Sequence, residues 1–254
     1  VYPEGNLGSQ LLGYVNNDGT GLYGVEGALN KRLKGVDGKL QAVTDVRRIP
    51  LTVSNDDVSI PARDGDNIVL TVDRNIQSYA ESALKKGLDN VRASKGSVVI
   101  MNPNNGQIMA MANYPTYDPS KYNKVTDYGV FQNDIVSAPY EVGSVMKTMT
   151  MGVGLDTGAV NTGTTFNNRG FVQVDDRKIS NVEEDPVNAN ATMTDVLHYS
   201  LNTGVVFILQ QMGGGKVNLA ARTKLYDYYH NHFRFGEKTG VEQAGESAGT
   251  VIPP

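Results

Sequence analysis

The residues best placed to do chemistry are Ser144 and Lys147, in Tyr140-Glu141-Val142-Gly143-Ser144-Val145-Met146-Lys147. A serine hydroxyl is a weak nucleophile until a base lies within hydrogen-bond reach, and an amine held neutral by its surroundings serves as that base. A spacing of three sets both side chains on one face of a helix. The local pattern predicts that helix. Glu141 and Gly143 suit a bend, Val145, Met149 and Val153 recur at helical spacing, and Gly158 after Asp156-Thr157 is a stop signal. Ser144 is thus expected on the first turn, where unpaired N–H groups and the positive dipole end suit an oxyanion.

Ser-x-x-Lys arises readily by chance, and a second copy, Ser82-Ala83-Leu84-Lys85, is present. That copy sits inside an amphipathic run (Ile76, Ala80, Ala83, Leu84, Leu88) with no turn before it, so it reads as a solvated helix face. Ser200-Leu201-Asn202 is the one Ser-x-Asn in the chain. A hydroxyl there can relay a proton between a lysine amine and a leaving group. Asn202 can accept from Lys147 and donate to a substrate amide. Alone, the tripeptide reads as a polar break with local side-chain-to-backbone bonds. Beside a well-placed Ser-x-x-Lys, the functional reading is the better one. His230 and His232, within Tyr226-Asp227-Tyr228-Tyr229-His230-Asn231-His232-Phe233, lack a third metal ligand in a convincing pattern, so we read a partly buried aromatic surface segment.

The elements that must position these residues follow from pattern. Ile68-Val69-Leu70-Thr71-Val72 is predicted as a strand, and Asp73 as the cap of a helix running to about Val91. Ser97–Met101 and Gln107–Ala112 flank Asn102-Pro103-Asn104-Asn105-Gly106 and predict a hairpin. The order implies an α+β fold, with an antiparallel sheet covered by helices. Residues 161–190 read as irregular and polar. Thr192 is expected to cap a helix from Met193 to about Tyr199, interrupted at Ser200–Gly204 and resumed from Val205 to Met212. Residues 1–65 read as an accessory module with loose packing. They hold a strand at Leu11–Val15, a turn at Asn16–Gly19, a short helix over Gly24–Leu33 closed by Gly35, and an extended stretch from Asp37 toward Val58.

The 254 residues, 39% hydrophobic, allow one sizeable core and a smaller second unit. A net charge of −4 with no basic block argues against nucleic acid as a partner. No run approaches the ~18 apolar residues of a membrane span. The absence of cysteine excludes disulfides and thiolate metal sites. Val1-Tyr2-Pro3-Glu4-Gly5 reads as the middle of a domain.

Taken in order, these motifs resemble the class B penicillin-binding proteins, the D,D-transpeptidases that cross-link peptidoglycan. Tyr2-Pro3, Gly13-Tyr14-Val15, Gly24-Val25-Glu26 and Leu33-Lys34-Gly35-Val36-Asp37-Gly38 look like the family's N-terminal pedestal. Leu70–Asp73, Gln77, Gly106–Met111 and Pro115–Pro119 look like the opening of its catalytic domain. Asn133 and Tyr140-Glu141-x-Gly143-Ser144-x-x-Lys147 match the nucleophile region, with Val142 where the family usually has Pro. The resemblance implies a penicillin-binding, β-lactamase-like fold, with residues 1–65 part of an extended β-rich pedestal of the dimerisation type. Residues 66–254 would then be the first portion of the transpeptidase domain.

It further implies that Ser144 attacks the penultimate D-Ala carbonyl of a stem peptide, with Lys147 as its base. Ser200 shuttles protons, and Asn202 positions Lys147 and binds the substrate backbone. β-Lactams acylate the same serine, and no metal or organic cofactor is implied. The implied setting is the outer face of the cytoplasmic membrane, anchored upstream, beside a glycosyltransferase and other division or elongation proteins. Lys238-Thr239-Gly240 spells the family's third signature, but glycines and charges surround it without alternation. It resembles instead a Phe-Gly-x-x-Thr-Gly loop preceding the true signature strand, and the chain is expected to stop before that strand. The competing reading is a non-catalytic β-lactam sensor or wall-synthesis scaffold. The presence of all four residues, Ser144, Lys147, Ser200 and Asn202, favours the enzyme.

Overall fold

The structure, a computed structural model, describes residues 1–41, 58–182 and 189–254. They divide into two compact units, one of residues 1–138 with 240–247 and one of residues 139–239 with 248–254.

The first unit is organised by one helix and one hairpin. Asp73 caps the helix as expected, accepting from Asn75 N at 2.8 Å and Ile76 N at 2.9 Å. Preceding it are α1 (Ser9–Leu12), β1 (Tyr14–Val15), β2 (Gly21–Leu22), α2 (Gly24–Ala28), α3 (Asn30–Leu33), β3 (Lys39–Gln41) and β4 (Val58–Ile60). The capped helix is α4 (Arg74–Val91), and β5 (Gly96–Met101) and β6 (Ile108–Tyr114) form the antiparallel hairpin. α4 covers that hairpin, with Ala80, Ala110 and Ala112 buried between Ile76, Leu84, Val98 and Ile100. A short helix, α5 (Asp134–Ser137), ends the unit's main run.

Ile68–Val72 does not form the predicted strand. Its alternation is right, but its β6 partner edge is taken otherwise. Thr71 Oγ1 donates to Ile108 O at 2.7 Å and Asp73 N to Met109 O at 2.9 Å. The Gln77 amide then brackets Met111, donating to its carbonyl at 2.9 Å and accepting from its N–H at 2.8 Å. A side chain thus replaces the next pair of ladder bonds, and Val69 is left 95% exposed.

Residues 1–41 differ from expectation in three ways. Leu11 and Leu12 belong to the helical turn α1, so only Tyr14–Val15 pairs as a strand. The helix expected over Gly24–Leu33 is broken at Leu29 into α2 and α3. The packing is tighter than a loose module: buried Tyr14 stacks on Tyr122 at 4.5 Å and clusters with Tyr117 and Phe131. The extended stretch expected from Asp37 is described at its two ends, where β3 and β4 pair antiparallel. Its middle, residues 42–57, lies outside the described residues.

The second unit holds α6 (Met146–Asp156), β7 (Thr165–Phe166), β8 (Phe171–Val174), β9 (Arg177–Ser180), β10 (Ala191–Thr192), α7 (Met193–His198), α8 (Asn202–Met212) and α9 (Leu219–Asp227). The tract read as irregular contains two antiparallel pairs, β7 with β10 and β8 with β9. Its residues 183–188 lie outside the described residues. The core gathers Met151, Val153, Phe166, Val196, Leu201 and Ile208. Gly204 and Gly154 let the helices touch: a Cβ at Gly204 would overlap the Val196 side chain, and one at Gly154 would lie 2.6 Å from Ile208 Cγ2.

Candidate active site

Gly143 takes φ +66° and turns the chain into the 3-10 turn Gly143–Val145, which runs straight into α6. Ser144 is exposed on that turn, one step earlier than the α-helical first turn expected for it. Val142 holds φ −67°, a value that proline also takes, so the substitution leaves the bend in place. The buried face of α6 keeps only Val153 of the predicted apolar stripe. Val145 is 64% exposed, and the face turned inward is Lys147, Thr150, Met151, Val153 and Gly154.

Lys147 is therefore a lysine in the core face of a helix, with 8% of its surface exposed. A buried ammonium is costly without hydrogen-bond partners. Ser200 supplies two: Nζ donates to Ser200 Oγ at 2.9 Å and also to the Ser200 carbonyl. Ser144 lies on the turn that enters the Lys147 helix, and Asn202 opens α8 two residues after Ser200.

The end of α7 explains how Ser200 reaches Lys147. Thr192 and Asp195 form a reciprocal capping box at its start. At its end, Leu201 N donates to Val196 O at 2.9 Å and Ser200 N to Leu197 O at 3.4 Å. These two bonds make a Schellman motif, with Ser200 in the position that glycine usually fills. Ser200 accordingly has φ +55°. A non-glycine residue in this region costs about 1–3 kcal/mol. Leu201, buried in the core, seals the motif, and α8 starts at Asn202 rather than at Val205.

Asn202 has a partner that sequence reasoning did not find. Its Nδ2 donates to Ser180 O at 2.9 Å, tying the start of α8 to the end of β9. A buried network reinforces the tie. Asn168 Oδ1 accepts from Gly170 N at 3.1 Å, Asn181 Nδ2 at 3.0 Å and Thr203 Oγ1 at 2.9 Å. Thr203 N donates in turn to Asn181 Oδ1 at 3.0 Å. The only local signal was Asn168-x-Gly170, an Asx turn with Gly170 at φ +79°.

The other candidates fall elsewhere. Ser82 is mid-helix in α4, its hydroxyl bonded back to Ser78 O at 2.9 Å, and Lys85 pairs with Asp89 at 2.8 Å. Lys238, Thr239 and Gly240 are exposed and lie outside any strand. His230 and His232 sit on a π-helical turn, Tyr228–His232, that follows α9.

Comparison with known proteins places this geometry in context. The family model described as "Penicillin binding protein transpeptidase domain" matches residues 96–254. The chain is 31% identical to stage V sporulation protein D of Bacillus subtilis, over 99% of its own length and 38% of that protein. It is 29% identical to the peptidoglycan D,D-transpeptidase FtsI of Buchnera aphidicola, over 98% of its length and 41% of that protein. Among solved structures it resembles penicillin-binding protein 3 of Mycobacterium tuberculosis in complex with aztreonam. That match has a TM-score of 0.80 at 29% identity, covering 100% of this chain and 50% of the other. The chain thus spans well under half the length of the curated relatives it matches.

Proposed function

The chain belongs to the penicillin-binding protein transpeptidase family, and on that premise we propose that its parent protein cross-links peptidoglycan stem peptides through an acyl-enzyme on Ser144. The observation that carries this reading is the buried Lys147 with Nζ 2.9 Å from Ser200 Oγ, one turn beyond an exposed serine.

Ser144 Oγ attacks the penultimate D-Ala carbonyl while Lys147 Nζ, in its neutral form, takes the hydroxyl proton. The N–H groups of the turn entering α6 face the developing oxyanion. Collapse breaks the D-Ala–D-Ala amide bond, and the leaving amine gains its proton from Lys147 through Ser200 Oγ. An amine from a neighbouring strand then attacks the ester, restoring Ser144. Asn202, braced on Ser180 O, has its second N–H available to the substrate backbone. β-Lactams enter by the same attack and stay as the acyl group.

Residues 1–65 are read as part of a pedestal and 66–254 as transpeptidase domain. The setting is the cell envelope, at the outer face of the cytoplasmic membrane, with a glycosyltransferase and other envelope-building proteins as neighbours. In the full-length protein, a reporter penicillin should label Ser144 and leave Ser82 unlabelled by peptide mapping. Label on Ser82, or label that survives in Ser144→Ala, would overturn the assignment.

A further inference from the structure

Two tyrosines of one π-helical turn grip α6 along its length. Tyr229 OH lies 2.6 Å from Thr150 Oγ1, and Tyr228 OH donates to Asp156 Oδ2 at 2.6 Å. An α-helix would splay neighbouring side chains by about 100°. The wider π turn, a form frequent at functional sites, splays them less and points both at one target.

The two grips differ in what they reach. The Tyr228 bond ends on the last residue of α6 and is exposed. The Tyr229 bond ends on buried Thr150, on the same inward face as Lys147 and three residues beyond it. Thr150 Oγ1 also meets Met146 O at 3.0 Å. A hydroxyl has one proton and a carbonyl can only accept, so Thr150 donates to Met146 and Tyr229 donates to Thr150. The donor chain therefore runs from Tyr229 through Thr150 to the carbonyl of the residue before Lys147. Burial raises the Tyr229 phenol above its ordinary range, in keeping with a protonated hydroxyl that donates at neutral pH.

We propose that Tyr229 is a positioning residue: through Thr150 it sets the rotation and height of the α6 turn that presents Lys147 Nζ to Ser200 Oγ. This rests on reading Lys147 and Ser200 as the proton-transfer pair. Thr150 lies about 4.5 Å along the helix axis from Lys147. A misplacement of about 1 Å in such a site can cost about a hundredfold in rate.

The test uses the full-length protein and three variants, Tyr229→Phe, Thr150→Val and Tyr228→Phe. Two quantities are read: the rate constant of acylation by a reporter penicillin, and the titration of Lys147 followed by NMR at Cε. Tyr229→Phe should slow acylation roughly ten- to a hundredfold with encounter affinity unchanged, and should move the Lys147 titration. Thr150→Val should match it, because both cut one chain. The pair combined should be no worse than either alone. Tyr228→Phe, which removes the other grip, should change neither quantity. The proposal is overturned if Tyr229→Phe keeps the wild-type titration, or if Tyr228→Phe shifts it equally. It is also overturned if Tyr229→Phe and Thr150→Val both fail to fold, since the bond is then structural. Should the wild-type protein prove unlabelled at Ser144, the functional reading fails, while the Lys147 titration still decides the role of Tyr229.

Discussion

Replacing Ser200 by alanine and by glycine separates the hydroxyl from the backbone beneath it. Both variants lose the Oγ that accepts from Lys147 at 2.9 Å. They differ in how they bear φ +55° at the end of α7. Alanine keeps the Cβ that crowds the following carbonyl in the left-handed region, a cost of about 1–2 kcal/mol. Glycine carries none of it. The Schellman bonds from Leu201 N and Ser200 N are backbone bonds and survive in both. Ser200→Gly should therefore be more stable locally than Ser200→Ala by about 1–2 kcal/mol, the reverse of the order in a helix interior, where glycine is worse by about 1 kcal/mol. Because the chain divides into two compact units, a single melting temperature is the wrong observable. Hydrogen exchange at the Leu201 amide reports the local opening, and the difference corresponds to roughly 5- to 30-fold slower exchange in the glycine variant. Both variants should acylate slowly, since each lacks the proton relay. If alanine protects Leu201 as well as glycine does, the Schellman argument is wrong. If Ser200→Gly acylates at the wild-type rate, the hydroxyl is not what keeps a serine in a glycine position.

Further outcomes follow from the same geometry. Lys147→Ala should lower the acylation rate by about 10²–10⁴ with the circular dichroism spectrum unchanged; a near-wild-type rate would place the base elsewhere. Lys238→Ala, in an exposed loop, should leave acylation within about twofold of wild type, whereas abolished labelling would make Lys238 the signature lysine after all. Asn168→Ala strands donors from Gly170 and Asn181 and leaves the Thr203 hydroxyl only its 3.2 Å bond to Asn181 Oδ1. At about 1–3 kcal/mol for an unsatisfied buried group, the β8–β9 hairpin should open measurably in hydrogen exchange, and Asn202 should loosen with it. The Asp195 carboxyl, held low by its hydrogen bonds from the Thr192 N–H and hydroxyl, has a depressed folded pKa. Its cap is therefore complete above the ordinary carboxylate value near 3.9 and is lost as pH falls below it. An NMR titration of Asp195 at or above that value would remove the basis for this acid fraying of α7.

The sequence alone determined those features whose cause is local. Asp73 and Thr192 cap helices because their side chains reach N–H groups two or three residues on. The hairpin follows from two apolar runs on either side of Asn102–Gly106, where Gly106 supplies the positive φ that the turn needs. The split between Ser144 and Ser82 was legible from the presence or absence of a turn, and their surroundings differ accordingly. What depended on distant partners was not legible. Ile68–Val72 has a strand's alternation, but whether it pairs depended on Gln77 occupying Met111. No spacing rule could bring Lys147 to Ser200 across intervening chain, or assign Asn202 to Ser180. The left-handed Ser200 is the sharpest case. Its conformation is disfavoured locally and exists because Leu201, buried in the core, holds the turn that follows α7. Local preference is read from neighbours in sequence, whereas the strain that holds Ser200 beside Lys147 is sustained by the packing of three helices, and only the tertiary structure decides that.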